Sequence, residues 1–243
     1  MDKIFGMSIF SSKKKLVDTN IFSGYTDFHS HFLPGVDDGI QTMEESLKAL
    51  HYYEILGVQR IWCTPHIMED MPNTTDHLRS VFDELSREYT GKIELRLASE
   101  NMLDNLFQER LKDNDFLPIG KSLNHLLVET SYYNPPIHLW KTLEDIKSKG
   151  YFPILAHPER YVYMDMSDYK RLKDMGIKLQ LDLMSLSGNY GKEAQDKANK
   201  LLLDNFYDYT GTDIHRLSQA VKAFSSKSVK NSSYKKLKEM YLK

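Results

Sequence analysis

The chain has a single cysteine, Cys63, among 243 residues, so no internal disulfide can staple it. That usage suits a reducing compartment. No run approaches the ~18 consecutive apolar residues of a membrane-spanning helix. The short apolar patch from Met7 precedes Lys13, Lys14 and Lys15, the reverse of a signal peptide's order. These absences lead us to expect a cytoplasmic protein without membrane insertion. Excess charge of one sign is also missing: the net charge is -2, so no basic field argues for nucleic acid as a partner. Repeats, low-complexity linkers and composition breaks are absent too. Residues 25 to 243 therefore read as one domain behind a poorly structured N-terminal extension, residues 1 to 24. The oligomeric state is left open.

What the chain does have is an alternation of apolar, strand-like runs with helical patterns, which favours a parallel α/β architecture. Seven strands are predicted: Tyr25 to His29, Gln59 to Thr64, Ile93 to Ala98, His125 to Thr130, Pro153 to His157, Lys178 to Asp182 and Asp208 to Thr212. Thr42 to Glu45 reads as a capping box opening a helix that stops at Gly57. Leu139, Leu143 and Ile146 share one helical face before Gly150, and a further helix around Leu172 ends at Gly176. Pro135-Pro136 reads as a loop, and the lysine-rich tail from Lys227 as a last amphipathic helix.

Nine histidines are present, and two form His29-Ser30-His31 at the end of the first strand. Residues i and i+2 of a strand point to the same side, so both imidazoles can reach one metal ion. His66 follows strand two, Glu100 strand three, Glu129 closes strand four, His157 closes strand five, and Asp213 and His215 follow strand seven. In barrels of parallel strands the C-terminal strand ends converge on one mouth, where active sites are assembled. One histidine at a strand end is commonly structural. Six of seven strands ending on metal-ligand residue types points to a shared site.

The runs DFHSHFLPGVDDG (Asp27 to Gly39), CTPH (Cys63 to His66), ASEN (Ala98 to Asn101), LVET (Leu127 to Thr130), AHPER (Ala156 to Arg160) and TDIH (Thr212 to His215) resemble the motif series of the polymerase and histidinol phosphatase (PHP) superfamily. Within it, LPGVDDG and AHPER resemble the bacterial tyrosine-protein phosphatases that accompany capsule and exopolysaccharide tyrosine kinases. The resemblance implies a distorted (β/α)7 TIM-like barrel and two or three divalent ions, manganese first, with iron or zinc as alternatives. It implies that His29, His31, Glu100 and Asp213 hold one ion, that Glu100 bridges to a second near Glu129 and His157, and that Asp38, His66 and His215 hold a third. The family pattern favours Asp38 over Asp37; the residues leave that choice open, since Asp37 equally suits a turn before Gly39.

Phosphate-ester hydrolysis needs a nucleophile at neutral pH and shielding of the phosphoryl oxygens, and paired divalent ions supply both. Arg160, three residues past His157, is the candidate clamp on phosphate oxygens, because its planar fork matches them; the alternative is a surface arginine paired with Glu159. The family has a second arginine several residues beyond the last histidine. Here the only arginine after Asp213 is Arg216, either its counterpart or a structural residue. A cysteine-nucleophile mechanism needs CxxxxxR, and Cys63 fails because position 69 is Glu69. The implied partner is a phosphotyrosine protein, the tyrosine-rich tail of a cognate kinase; a PHP phosphatase of a small metabolite such as histidinol phosphate is the alternative. His51, His77 and His138 read as solvated and His125 as lying at the opposite rim; Asp182 lies near the end of strand six but equally suits a cap on the following turn, and is left out of the ligand set. Tyr132, Tyr133 and Tyr161 follow site strands and are candidates to flank an aromatic substrate.

Overall fold

The computed structural model describes residues 13–241, so the apolar patch at Met7 lies outside the described residues. The strands are β1 (Lys13–Lys14), β2 (Thr26–Asp27), β3 (Arg60–Cys63), β4 (His66–Ile67), β5 (Glu94–Leu97), β6 (Glu100–Met102), β7 (His125–Glu129), β8 (Phe152–Ala156), β9 (Lys178–Asp182), β10 (Tyr209–Gly211) and β11 (Val229–Lys230). The helices are α1 (Met43–Leu56), α2 (Thr75–Glu88), α3 (Asn105–Asp113), α4 (Leu139–Ser148), α5 (Met166–Asp174), α6 (Leu183–Leu186), α7 (Gly191–Leu203), α8 (Leu217–Ser225) and α9 (Asn231–Tyr241). Each of the seven predicted strands is found, with ends displaced by at most two residues. Thr42 caps α1 by accepting the Glu45 N–H at 3.2 Å, and Gly57 ends it with φ 94°, a left-handed conformation open to glycine.

β10-β9-β8-β7-β6-β4 form one parallel sheet and β2-β3-β5 a second. Backbone bonds tie the two together: Phe28 N–H donates to Thr210 O at 3.2 Å, Asp213 N–H to His29 O at 2.8 Å, and Glu100 N–H to Pro65 O at 3.1 Å. Pro65 has no N–H to give a ladder, which fits the break between β3 and β4.

Alternation along β7 and β8 sends side chains to two apolar clusters. Leu126, Val128 and Leu155 join the large core beneath the helices, whereas Leu127, Ile154 and Ala156 meet Trp62 of β3 with Phe28 and Tyr209 packed alongside. Residues of β3, β7, β8 and β10 can meet on one face only if the sheet curls round. Their meeting leaves the C-terminal strand ends gathered at one mouth.

The segment expected to be a loose extension is folded in its second half. Lys13–Lys14 pairs antiparallel with β11, and Leu16, Ile21 and Phe22 are buried. The Phe22 ring lies 4.8 Å from that of Phe224 on α8. Burial of these three apolar side chains offsets the ordering of a polar, lysine-bearing segment.

Candidate metal centre

All the ligand types singled out in the sequence arrive at this mouth, and the backbone is shaped to bring them close. Gly39 and Gly211 flank the two leading histidines: a Cβ at Gly39 would lie 2.4 Å from the His31 Cβ, and one at Gly211 the same distance from the His29 Cβ. Any side chain there would push the imidazoles apart. His157 and Asp213 adopt left-handed backbone with φ of 33° and 47°. Such strain in a non-glycine residue persists where surrounding structure enforces it, and it concentrates at functional sites.

Three imidazoles are fixed through Nδ1. His29 donates from Nδ1 to Gln180 Oε1 at 2.9 Å, His31 to Asp37 Oδ2 at 2.7 Å, and His215 to the Asp213 carbonyl at 3.0 Å. Each therefore presents Nε2 to the site, the orientation that second-sphere partners impose on metal-binding histidines. Gln180 is itself held by donating to Leu181 O at 2.7 Å. Asp37 also accepts the backbone N–H groups of Gly39 and His66, which occupies its carboxylate. Asp38, 64% exposed, instead faces His215 Nε2 at 3.3 Å and His66 Nε2 at 3.5 Å.

Glu100 is the hub. Its Oε2 lies 3.0 Å from His29 Nε2, 3.4 Å from His31 Nε2 and 3.1 Å from His66 Nδ1, and its Oε1 lies 3.0 Å from His157 Nε2. Asp213 Oδ1 lies 3.2 Å from His29 and 3.1 Å from His31, and Glu129 Oε1 3.0 Å from His66 Nδ1. Three groups of donors are close enough to share an ion: His29, His31, Glu100 and Asp213; His66, Glu100 and Glu129; and His31, His66 and His215. His66 thus faces the Glu100 and Glu129 side through Nδ1 as well as the Asp38 side expected of it.

Glu100, Glu129 and Asp213 are almost wholly buried. Burial alone would depress the His29 imidazole, but Glu100 and Asp213 outweigh it and raise it to about 9. Reciprocally, burial opposes ionisation of Glu100, yet His29 and His66 hold its carboxyl well below the usual range. Glu100 Oε2, Glu129 Oε1, Asp213 Oδ1 and His66 Nδ1 make no properly angled hydrogen bond, although His66 lies close to both Glu100 and Glu129, and Asp213 shares the His29 and His31 imidazoles with Glu100. Unsatisfied buried atoms cost free energy, and several aimed at common points fit divalent cations as the missing partners.

Arg160 does not pair with Glu159. Its guanidinium donates to Asp213 Oδ2 and to the Tyr132 hydroxyl, and it lies over the rings of Tyr132 at 4.5 Å and Tyr190 at 4.2 Å. Glu159 is buried, accepting from the Asp182 N–H and the Tyr207 hydroxyl. Asp182 caps α6 through the Met184 N–H, the second of the two roles its sequence allowed, and its buried Oδ2 makes no hydrogen bond, lying 3.9 Å from Arg160. Burial and the neighbouring Asp213 push the Asp182 carboxyl well up. Arg216 is exposed at the start of α8, lining a cleft with Gly39, Gln41 and His215. Cys63 is buried and burial pushes its thiol up, which disfavours a nucleophilic thiolate. His51, His77 and His138 are exposed and away from the cluster, and His125 begins β7 at the other end.

The sequence reading missed Gln180 and Tyr190. Gln180 was visible in principle, as an uncharged polar residue between Leu179 and Leu181 in an apolar strand. Tyr190 follows α6 with no motif around it, and only the fold brings it onto Arg160.

Imidazole and carboxylate donors gathered at one mouth of a curled parallel sheet define a class, the α/β proteins with a candidate polynuclear metal centre. Among these, the chain belongs to the CpsB/CapC family of capsular polysaccharide synthesis, whose profile matches residues 25–243. The tyrosine-protein phosphatase YwqE of Bacillus subtilis is 25% identical over 203 residues, covering 79% of this chain and 77% of that protein. The tyrosine-protein phosphatase CpsB of Streptococcus agalactiae is 25% identical over 210 residues, 79% of this chain and 83% of that protein. A solved structure from work on YwqE and the Streptococcus pneumoniae CpsB, described as metal-dependent tyrosine phosphatases, shares the fold with a TM-score of 0.73 at 22% identity, over 90% of this chain and 93% of that one. No described helix is long and apolar enough to cross a membrane.

Proposed function

We propose that this chain is a metal-dependent protein-tyrosine phosphatase whose substrate is the tyrosine-rich tail of a kinase controlling capsule or exopolysaccharide synthesis. The observation that carries the reading is the set of buried, unsatisfied donor atoms around Glu100, found in a chain of the CpsB/CapC family. We read the architecture as a distorted (β/α)7 barrel, counting β3 with β4, and β5 with β6, as single strands broken at Pro65 and Ser99; the bonds from Phe28 to Thr210 and from Asp213 to His29, which join the first of these strands to the last, support that reading.

His29, His31, Glu100 and Asp213 would hold one ion, Glu100, Glu129 and His157 a second, and Asp38, His66 and His215 a third, manganese being the ion we assign. Such ions supply a nucleophile at neutral pH and offset charge on the phosphoryl oxygens. The chain's own residues do the rest. Gln180 and Asp37 hold His29 and His31 in the tautomer that presents Nε2. Arg160, fixed between two tyrosine rings and Asp213, keeps its plane ready to meet phosphate oxygens. Arg216, which lines the same cleft as His215, is the candidate second cation. A phenol leaving group has a pKa near ~10, so the departing oxygen needs little help from a dedicated acid.

Arg160→Lys keeps the charge but removes the fork, so phosphotyrosine turnover should fall roughly 10–100-fold, as loss of a charge-assisted hydrogen bond implies. Metal content should stay unchanged; equal losses of metal and turnover would make Arg160 a scaffold residue. The reading as a whole is tested by a manganese-supplemented assay of a phosphotyrosine peptide, a phosphoserine peptide and histidinol phosphate side by side. The first should be hydrolysed best, and preference for histidinol phosphate would replace the reading with a metabolite phosphatase.

A further inference from the structure

The loops after β7 and β8 border the mouth and carry three large side chains that nothing covers: Tyr133 is 72% exposed, Ile137 94% and Val162 48%. Isolated apolar residues are ordinary on a protein surface. These three differ in being mounted on a braced pair of loops. Val162 N–H donates to Tyr132 O at 2.9 Å, Thr130 N–H to the Tyr161 hydroxyl at 3.2 Å, and the Thr130 and Tyr163 hydroxyls bond at 2.6 Å. Tyr161 stacks between Tyr132 and Tyr163, with interplanar angles of 25° on both sides. Pro135-Pro136 stiffens the stretch from Tyr133 to Ile137. Ordering entropy is thus already met before anything binds.

Tyr132 links this pair of loops to the reaction site. Tyr132, whose carbonyl holds Val162, also receives a hydrogen bond from Arg160. The surface is also uncharged: neither residues 131–138 nor residues 161–164 include aspartate, glutamate, lysine or arginine. A site built around a small polar metabolite such as histidinol phosphate calls instead for charged groups here, to pair with its amine and imidazole beyond the phosphate.

We propose that Tyr133, Ile137 and Val162 form a docking platform for apolar or aromatic residues flanking the phosphotyrosine of an extended peptide. The proposal rests on the phosphatase reading and adds what that reading lacks, the features of the substrate beyond its phosphorylated ring. The platform acts on binding and leaves the chemical step alone.

The test is the double variant Ile137→Ser, Val162→Ser, both at surface positions whose loss leaves the core intact. It is compared with the unaltered chain on three substrates: a phosphotyrosine peptide with leucine and tyrosine flanks, the same peptide with serine flanks, and p-nitrophenyl phosphate, which has no flanks. The unaltered chain should favour the apolar-flanked peptide over the serine-flanked one by about tenfold in kcat/KM, the scale of one or two buried apolar groups. The variant should lose that preference through KM, with kcat held and p-nitrophenyl phosphate turnover unchanged. Equal use of both peptides by the unaltered chain, or an unmoved KM in the variant, overturns the platform while leaving the phosphatase reading standing. Failure of the unaltered, metal-loaded chain on all three substrates overturns that reading, and the platform with it. A dimer of the unaltered chain that the variant converts to monomer assigns the surface to a second copy and overturns the proposal.

Discussion

Glu100→Gln should lower turnover of phosphotyrosine and of p-nitrophenyl phosphate by about a thousandfold, the equivalent of ~4 kcal/mol of transition-state stabilisation. The substitution preserves shape and volume and removes only the charge. Among the described residues no other carboxylate has so many site histidines around it: His29, His31, His66 and His157 all lie within 3.4 Å of its oxygens. A neutral amide cannot serve as an anionic ligand to two cations, so metal content should fall with turnover. Because Glu100 sits at the strand ends, above the apolar clusters, the far-ultraviolet circular dichroism should be unaltered. Turnover within tenfold of the unaltered chain would show that the hub is structural.

The second large effect is on stability and lies away from the chemistry. Phe22→Ala should cost about 3–5 kcal/mol, the range for a fully buried phenylalanine whose removal leaves a cavity. Phe22 contacts both Phe224 on α8 and Tyr25 at the start of the first barrel strand, so the cavity would open against the core. Urea unfolding reads the change as a fall in midpoint at constant slope. A loss under about 1 kcal/mol would mean that the N-terminal strap lies on the core without belonging to it.

Much of this molecule can be read before any coordinates. The parallel strands announce themselves because runs such as Leu126 to Val128 and Ile154 to Ala156 are apolar throughout, as buried parallel strands are. The candidate ligands other than Asp38 stand out because each ends or closely follows such a run, and because His29 and His31 are two apart on a strand. The strap was hidden for the opposite reason. Leu16, Ile21 and Phe22 follow neither a helical nor a strand period, being carried on two short 3-10 turns, Leu16–Asp18 and Asn20–Phe22, beside three lysines. The two-residue β4 and the three-residue β6 were likewise too short for any periodic signal. Adjacent Asp37 and Asp38 have the same chemistry in sequence; burial separates them, one accepting three hydrogen bonds and the other facing His66 and His215. The aromatic seat of Arg160 joins residues from three loops, so it exists only once the sheet has curled.

The central claim is that donors spread from His29 to His215 converge on shared inorganic cations. Elemental mass spectrometry of the chain after dialysis against manganese, with phosphotyrosine turnover followed on the same sample, tests it most directly. About two or more ions per chain are expected, both ions and turnover disappearing with a chelator and both returning with manganese. Full turnover from a chain that retains no transition metal would contradict the account.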